Sequence, residues 1–400
     1  MADRLRYVKS LDGIRGVGAV GVIAAHYGYL QCGWVVVQFF FVLSGYLITS
    51  ILLAEKEHPF RQYLGRFYWR RILRIFPVYF GFLLICGIFY LLLKQPREFL
   101  QVLPSLLTYT YNFYLVPPGR SLSGIFPHLW SLSVEEQFYL LWPLLIFALT
   151  PKGARWMVVA TLISIPLLRL LVFALADAGP MSGIVIGRLF YLATEFQLDG
   201  FAAGAAIAVF KLTDVKVVPA KLIVAIACAL FLGLVNLLIA QRAGLVTNFS
   251  SHDPAGTVVG GVSFGYPLLM PYHGQFLWGY SVMNFLSMAL IICASQANAL
   301  ASFFENRFFC YLGRMSYGIY VFHLPLQRLF QYVFPVHPRT LPGVMMFVVL
   351  FATVIAVAHL SYFHFEVRFL GLKDYFAKRA ERSRQRKLER SLHASPPVAQ

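Results

Sequence analysis

Charge is the scarcest property of this sequence. Asp, Glu, Lys and Arg make up 13% of its 400 residues, about half the roughly 25% of an ordinary soluble chain. A water-soluble enzyme of this length must cover its surface with polar groups, and this composition cannot do so. Acidic residues are scarcer still, 17 against 34 basic ones, for a net charge of +17. Cysteine is sparse: Cys32, Cys86, Cys228, Cys293 and Cys310 are scattered, with no metal-ligand spacing and no disulfide framework. Short segments of strict apolar/polar alternation are missing, which excludes a membrane β-barrel. What is present is a 59% hydrophobic content organised in runs of about 20 residues, the length that crosses a hydrocarbon core. The sequence predicts an all-α, polytopic helical membrane protein.

Ten apolar runs read as membrane-spanning: 11–30, 34–54, 76–93, 129–149, 154–176, 188–210, 221–240, 276–296, 310–332 and 342–366. Segments 99–116 and 255–271 are re-entrant or interfacial candidates. With the N-terminus in the cytoplasm, 25 of the 34 Lys and Arg fall on cytoplasmic pieces and five outside, as the positive-inside rule requires. Letting 99–116 cross would move 16 of those inside charges outward. The expected topology is therefore about ten spans with both termini cytoplasmic. The basic start (Arg4, Arg6, Lys9) precedes a run holding Asp12, Arg15 and His26, so it reads as a first anchor rather than a cleaved signal. Residues 1–370 form the expected transmembrane domain and 371–400 a basic cytoplasmic tail. The tail's excess of Lys and Arg fits contact with anionic membrane lipid. Without interleaved aromatics it does not fit nucleic acid.

Ionisable groups inside the spans point to chemistry, because a charge in the bilayer is costly. Arg15 and His26 lie 11 residues apart, three helical turns plus about 20°, so both project from one face with roughly 16 Å between them. Asp12 can pair with Arg15. In the fourth span Glu135 lies roughly 9 Å below the outer surface, and His26 roughly 6 Å. The spacing therefore predicts that Glu135 meets His26 and orients its ring, while Glu136 points about 100° away. Arg70, Arg71 and Arg74 lie within about one turn beside Phe67, Trp69, Ile72 and Ile75. They read either as an ordinary basic interfacial helix or as forked donors for a phosphate-bearing ligand. Ser44-Gly45 permits close helix approach. Ser316, Tyr317, Tyr320 and His323 fall in the ninth span. Glu195 and Asp199 sit at i, i+4 in the sixth, within reach of Arg188 or Arg169.

Six motifs in chain order carry a resemblance to a known family. They are the Arg-ten-residues-His pattern of Arg15 and His26 after LDGIRG, FFVLSGYLI at 40–48, RRILRIFPVY at 70–79, HLWSLSVEEQFYLLWP at 128–143, LDGFAAG at 198–204 and SYGIYVFHLPL at 316–326. The chain resembles membrane acyltransferase family 3, the integral-membrane O-acyltransferases of bacterial surface glycans and some natural products. Two positions depart from the family pattern: Gln38, where an acid is common, and Gln197, where an Arg is common.

The resemblance implies an O-acetyltransferase of the bacterial inner membrane that uses cytoplasmic acyl-CoA, usually acetyl-CoA, as donor co-substrate and no metal. It implies that Arg15, Arg70, Arg71 and Arg74 bind the CoA phosphates, and that His26, with Arg15 and Glu135, performs the transfer. Ser44, Tyr317, Tyr320 and His323 are then expected to contact substrate, a hydroxyl of a lipid-linked or exported glycan. Alternative readings are O-acylation of a macrolide-like small molecule, a transporter or flippase of a glycolipid or acyl group, and a non-catalytic membrane sensor. The flippase would move substrate without covalent change.

Overall fold

A computed structural model describes residues 7–30, 33–120, 124–177, 183–242 and 275–373. All regular structure among them is helical. Helices α1 (Lys9–His26), α2 (Gly33–Glu55) and the 33-residue α3 (Phe60–Leu92) open the chain, followed by the short α4 (Pro96–Leu107) and α5 (Tyr111–Tyr114). Then come α6 (Leu129–Ala148), α7 (Pro151–Asp177), α8 (Gly183–Leu192), a 3₁₀ turn at Thr194–Gln197, and α9 (Leu198–Val209). After α10 (Pro219–Arg242) and α11 (Gln275–Ala294) stand the short α12 (Ala299–Phe304) and α13 (Arg307–Arg314). Finally α14 (Ser316–Val333) leads to α15 (Leu341–Leu360), which runs on through a π-helical turn at Ser361–Glu366.

Five of these helices are long and apolar enough to cross a membrane: α2, α3, α7, α10 and α15. Apart from α2, they bury a third or less of their most apolar stretch. Leu92, Leu175, Ile223 and Val348 are each more than half exposed. Exposed apolar surface of that extent is untenable in water and natural against lipid. Helices α1, α6, α11 and α14 are 18 to 20 residues long; α1, α6 and α14 turn polar residues inward, and the cavity described below lies among them.

Two of the expected segments are interrupted, and a third falls on residues outside those described. Segment 99–116 is not one helix: α4 ends at Leu107 and Tyr109 adopts a positive φ of 51° before α5. Segment 188–210 is broken between α8 and α9. Segment 255–271 lies outside the described residues, as do residues 374–400 of the tail.

The break in 188–210 frees backbone carbonyls, and buried side chains satisfy them, as a membrane interior demands. Gln197 Nε2 donates to the carbonyls of Phe190 and Tyr191 at 2.8 and 2.9 Å. Asn112 Nδ2 donates to Leu192 O at 3.1 Å, and Arg169 to Phe196 O. Gln137 and Thr194 extend this network to α6. The re-entrant candidate, the broken helix and α6 are thus tied together by amides and hydroxyls.

Helix α9 crosses α2 at very short range. A Cβ on Gly45 would overlap the carbonyl of Phe201, and one on Gly204 the carbonyl of Val42. Only glycine allows this approach, the small-residue packing used where no hydrophobic force drives helices together. The crossing holds Ser44, next to Gly45, at the wall of the cavity.

Candidate active site

Helices α1, α2, α3, α6 and α14 enclose a cavity of about 210 Å³. Along α2 its lining runs from Val37 to Ile51, roughly 21 Å of helix axis, so it is long and narrow. Apolar residues form most of the wall, and the polar groups gather in two places.

At one end stand Arg15, Arg71 and Arg74. Arg15 is 3.4 Å from the Asp12 carboxylate and donates to Ser316 Oγ at 3.0 Å. Arg71 lies over the Tyr139 ring, 5.3 Å from its centroid, a cation–π contact that leaves the guanidinium edge free to donate. Along the same wall Glu135 accepts hydrogen bonds from Ser44 Oγ at 3.0 Å and Tyr139 Oη at 3.2 Å. Three cations and one carboxylate line this space; Asp12 sits beside Arg15, and Glu136 and Glu366 lie within electrostatic reach of Arg71 and Arg74. The guanidiniums that edge the cavity can donate to an anionic ligand.

Arg70 does not join this group. It points to the other side of α3 and pairs with Glu55 at 3.2 Å, beside Arg66 at 3.1 Å. One residue on a helix is about 100° of rotation. Glu55 at the end of α2 holds the Arg66/Arg70 stripe, so only Arg71 and Arg74 turn inward.

At the other end of the cavity, Ser131 and Tyr320 share a hydrogen bond of 2.5 Å. Tyr320 Oη also lies 2.5 Å from the carbonyl of His128. Beyond this pair is a cluster of imidazoles. The His26 and His323 ring centroids are 5.1 Å apart, as are those of His323 and His128. His26 is exposed, whereas His323 and His128 are buried. Gln327 Nε2 donates to the carbonyl of His26 at 2.6 Å and fixes the end of α1.

The expected Glu135–His26 contact is therefore absent. The two side chains differ in depth. His26 stands at the level of His128, whose ring is equally close to His323, and Glu135 lies seven residues further along α6, roughly 10 Å, where it turns to Ser44 and Tyr139. Of the other expected site residues, Ser44, Tyr317 and Tyr320 line the cavity with Arg15, and Tyr317 Oη donates to Ile75 O at 3.1 Å. His323 sits in the imidazole cluster. Glu136 faces away, with one buried oxygen lacking a partner. Asp199 pairs with Arg169, not with Glu195, which is exposed. Arg188 instead donates to the carbonyls of Pro117 and Arg120. Among the described residues, no three His, Cys, Asp or Glu side chains are arranged to hold a metal ion.

His128, Ser131 and Tyr139 were not singled out from the sequence. Their signal was spacing: His128, Ser131, Glu135 and Tyr139 recur every three or four residues, one stripe along α6.

The two departures from the family pattern touch each other. Gln38 Nε2 donates to Gln197 Oε1 at 2.6 Å, and both residues are fully buried. A neutral amide pair thus occupies the place where the family pattern has an acid and an arginine. Gln38→Glu alone should destabilise the protein by about 3–5 kcal/mol, the cost of a buried charge without a partner. Adding Gln197→Arg should recover most of that loss. Melting temperatures of both variants and of Gln197→Arg in detergent measure the coupling as a double-mutant cycle.

A family model described as an acyltransferase domain matches residues 8–363. The chain is 28% identical over 392 residues to the peptidoglycan O-acetyltransferase OatA of Listeria monocytogenes, covering 93% of this chain and 57% of that protein. It is 26% identical over 340 residues to the O-acetyltransferase OatA of Staphylococcus aureus, covering 80% of this chain and 51% of that one. The chain spans about half the length of the curated relatives it matches. No solved structure matches it.

Proposed function

The chain belongs to the acyltransferase family that its sequence resembles, and on that footing we propose that it moves an acetyl group from acyl-CoA to a hydroxyl of a lipid-linked or exported glycan. The observation that carries this reading is the long cavity itself, cationic at one end and bordered at the other by a cluster of imidazoles. Acyl-CoA is an elongated molecule with phosphates at one end and a thioester at the other. Peptidoglycan is the first acceptor to test, because the Listeria relative is a peptidoglycan O-acetyltransferase.

In this reading α1, α6, the α8–α9 pair, α11 and α14 complete ten membrane crossings with the five apolar helices, and both termini face the cytoplasm of a bacterial inner membrane. Segment α4–α5 returns to the side it came from. The arginine end of the cavity opens toward the cytoplasm, where acyl-CoA is found. Arg71, Arg74 and Arg15 hold the phosphates, and the thioester lies toward Ser131 and Tyr320. His26 takes the proton of the acceptor hydroxyl as its oxygen bonds to the acyl carbon. The C–S bond then breaks, and the thiolate leaves with the proton returned from His26. Tyr320 gives its proton to the His128 carbonyl and accepts from Ser131, so a Ser131 hydroxyl turned from Tyr320 to the acyl oxygen supplies one donor for the developing oxyanion. Glu135, held by Ser44 and Tyr139, is a fixed acceptor on the cavity wall beside the donor arm.

The phosphate assignment separates three adjacent arginines. Arg71→Gln and Arg74→Gln should each raise the KM for acetyl-CoA by about tenfold or more, the worth of a hydrogen bond to a charged group, with kcat little changed. Arg70→Gln should leave KM within a factor of about two, because surface pairs contribute little. Acetyl-transfer kinetics in washed membranes decide this, and an Arg70 effect equal to the other two would remove the assignment.

Mass analysis of peptidoglycan and other surface glycans, from cells with and without the chain, tests the function directly. Loss of acetyl ester from one glycan is the expected result. Unchanged acetylation together with an altered transbilayer distribution of a glycolipid would overturn it in favour of a flippase.

A further inference from the structure

His26 has no carboxylate partner, and its surroundings suggest a different kind of support. His323 Nδ1 lies 2.6 Å from the carbonyl of Tyr320. A carbonyl only accepts, so Nδ1 carries the proton and Nε2 of that ring is left as a hydrogen-bond acceptor. This Nε2 is buried and has no partner, on a residue 1% exposed. The same holds for His128. Its Nε2 is 3.2 Å from the carbonyl of Val321, so Nδ1 is the acceptor, again buried and unpartnered on a residue 2% exposed. Two neighbouring rings, with tautomers fixed by backbone carbonyls, thus present lone pairs that nothing among the described residues satisfies. A buried polar atom without a partner is costly and calls for an explanation.

A third ring stands next in the file. His26 lies 5.1 Å from His323, centroid to centroid, at an interplanar angle of 44°, and neither of its ring nitrogens has a hydrogen-bond partner among the described residues. The terminal torsion of histidine is broad, so a small rotation brings a His26 N–H onto His323 Nε2. We propose that His323 is the positioning residue for His26: its Nε2 accepts a hydrogen bond from the His26 ring, fixes that ring's tautomer, and bears on the proton His26 takes up, with His128 backing His323. An imidazole pair then fills the role the sequence suggested for a carboxylate. The inference rests on the acyl-transfer reading above. In that reaction the hydroxyl proton goes to one His26 nitrogen while the other keeps its N–H directed at His323. The proton then leaves with the CoA thiolate, so His323 gains and loses nothing.

The test has one arm that needs no substrate. With ring-¹⁵N histidine in the full chain in lipid, a ¹⁵N–¹⁵N coupling across an N–H···N hydrogen bond should join His26 and His323. Absence of that coupling in the wild type overturns the proposal. The second arm compares His323→Leu with His323→Gln, which keeps a side-chain acceptor. His323→Leu should lower kcat by about 10²-fold, the lower range for a disabled base, at unchanged KM for acetyl-CoA. His323→Gln should recover kcat to within about tenfold of wild type. Equal activity of the two variants would overturn the proposal. Should the leucine variant fail to fold, the coupling and the glutamine variant still decide. Coupling in a wild type that transfers no acetyl would refute the acyl-transfer reading and leave the ring pairing standing.

Discussion

Replacing His26 by Ala should lower acetyl transfer by about 10²–10⁴-fold, the usual contribution of a positioned general base, while the protein stays inserted and folded. The imidazole is exposed at the end of α1, so its removal leaves no buried void, and the bond from Gln327 goes to the His26 backbone, which Ala retains. The arginine end of the cavity is formed by other residues, so the KM for acetyl-CoA should not move. Steady-state kinetics in membranes carrying matched amounts of each variant separate these effects. Retained turnover would remove His26 from the chemistry, and a raised KM with normal kcat would make it a binding residue.

Removing one member of the Arg169–Asp199 pair should have the largest effect on stability. The pair is bidentate, at 2.7 and 2.9 Å, and both side chains are essentially inaccessible. Arg169 also lies over the Tyr280 ring, 4.6 Å from its centroid, and donates to Phe196 O at the helix break. Asp199→Ala would leave a guanidinium buried without its counter-charge, at a cost of about 3–5 kcal/mol. That is roughly a 10²–10⁴-fold shift toward the unfolded state. Because α9 also carries Phe201 against Gly45, activity should be lost with the fold, unlike in the His26 variant. Heating in detergent followed by size-exclusion chromatography should show early loss of the monodisperse peak for Asp199→Ala. The double change Arg169→Met with Asp199→Leu should recover part of it, since an apolar pair carries no desolvation cost.

The two ends of the site were unequally legible in the sequence. Hydropathy reports how deep a residue lies, because rise per residue is constant. It therefore brought Arg15 to the level of the basic segment. It does not report how a helix is shifted or rotated against its neighbours, and a shift of about two turns along α6 puts His128, not Glu135, at the level of His26. The same limit applies to Arg70. Its helical position is one residue from Arg71, and the carboxylate of Glu55, 15 residues earlier in the chain, decides which stripe turns outward. The helix break at Thr194–Gln197 was also hidden. The apolar runs on either side let 188–210 read as one span, and Gln197 within the break together with the distant donors Asn112 and Arg169 make the interruption tolerable. His128 was legible in principle, as the first member of the stripe that includes Glu135. It stands one residue before the apolar run that begins at Leu129, at the N-cap of α6, so spacing within the span does not expose it.

The decisive measurement uses the purified chain in proteoliposomes, with acetyl-CoA carrying a labelled acetyl group supplied on the face that bears Arg71 and Arg74 and soluble peptidoglycan strands as acceptor. Base-labile label should appear in the glycan with the wild type and fall to background with His26→Ala. Label in the glycan that does not depend on His26, or none in the glycan while native membranes containing the chain acetylate it, would contradict acetyl transfer by this cavity and this histidine.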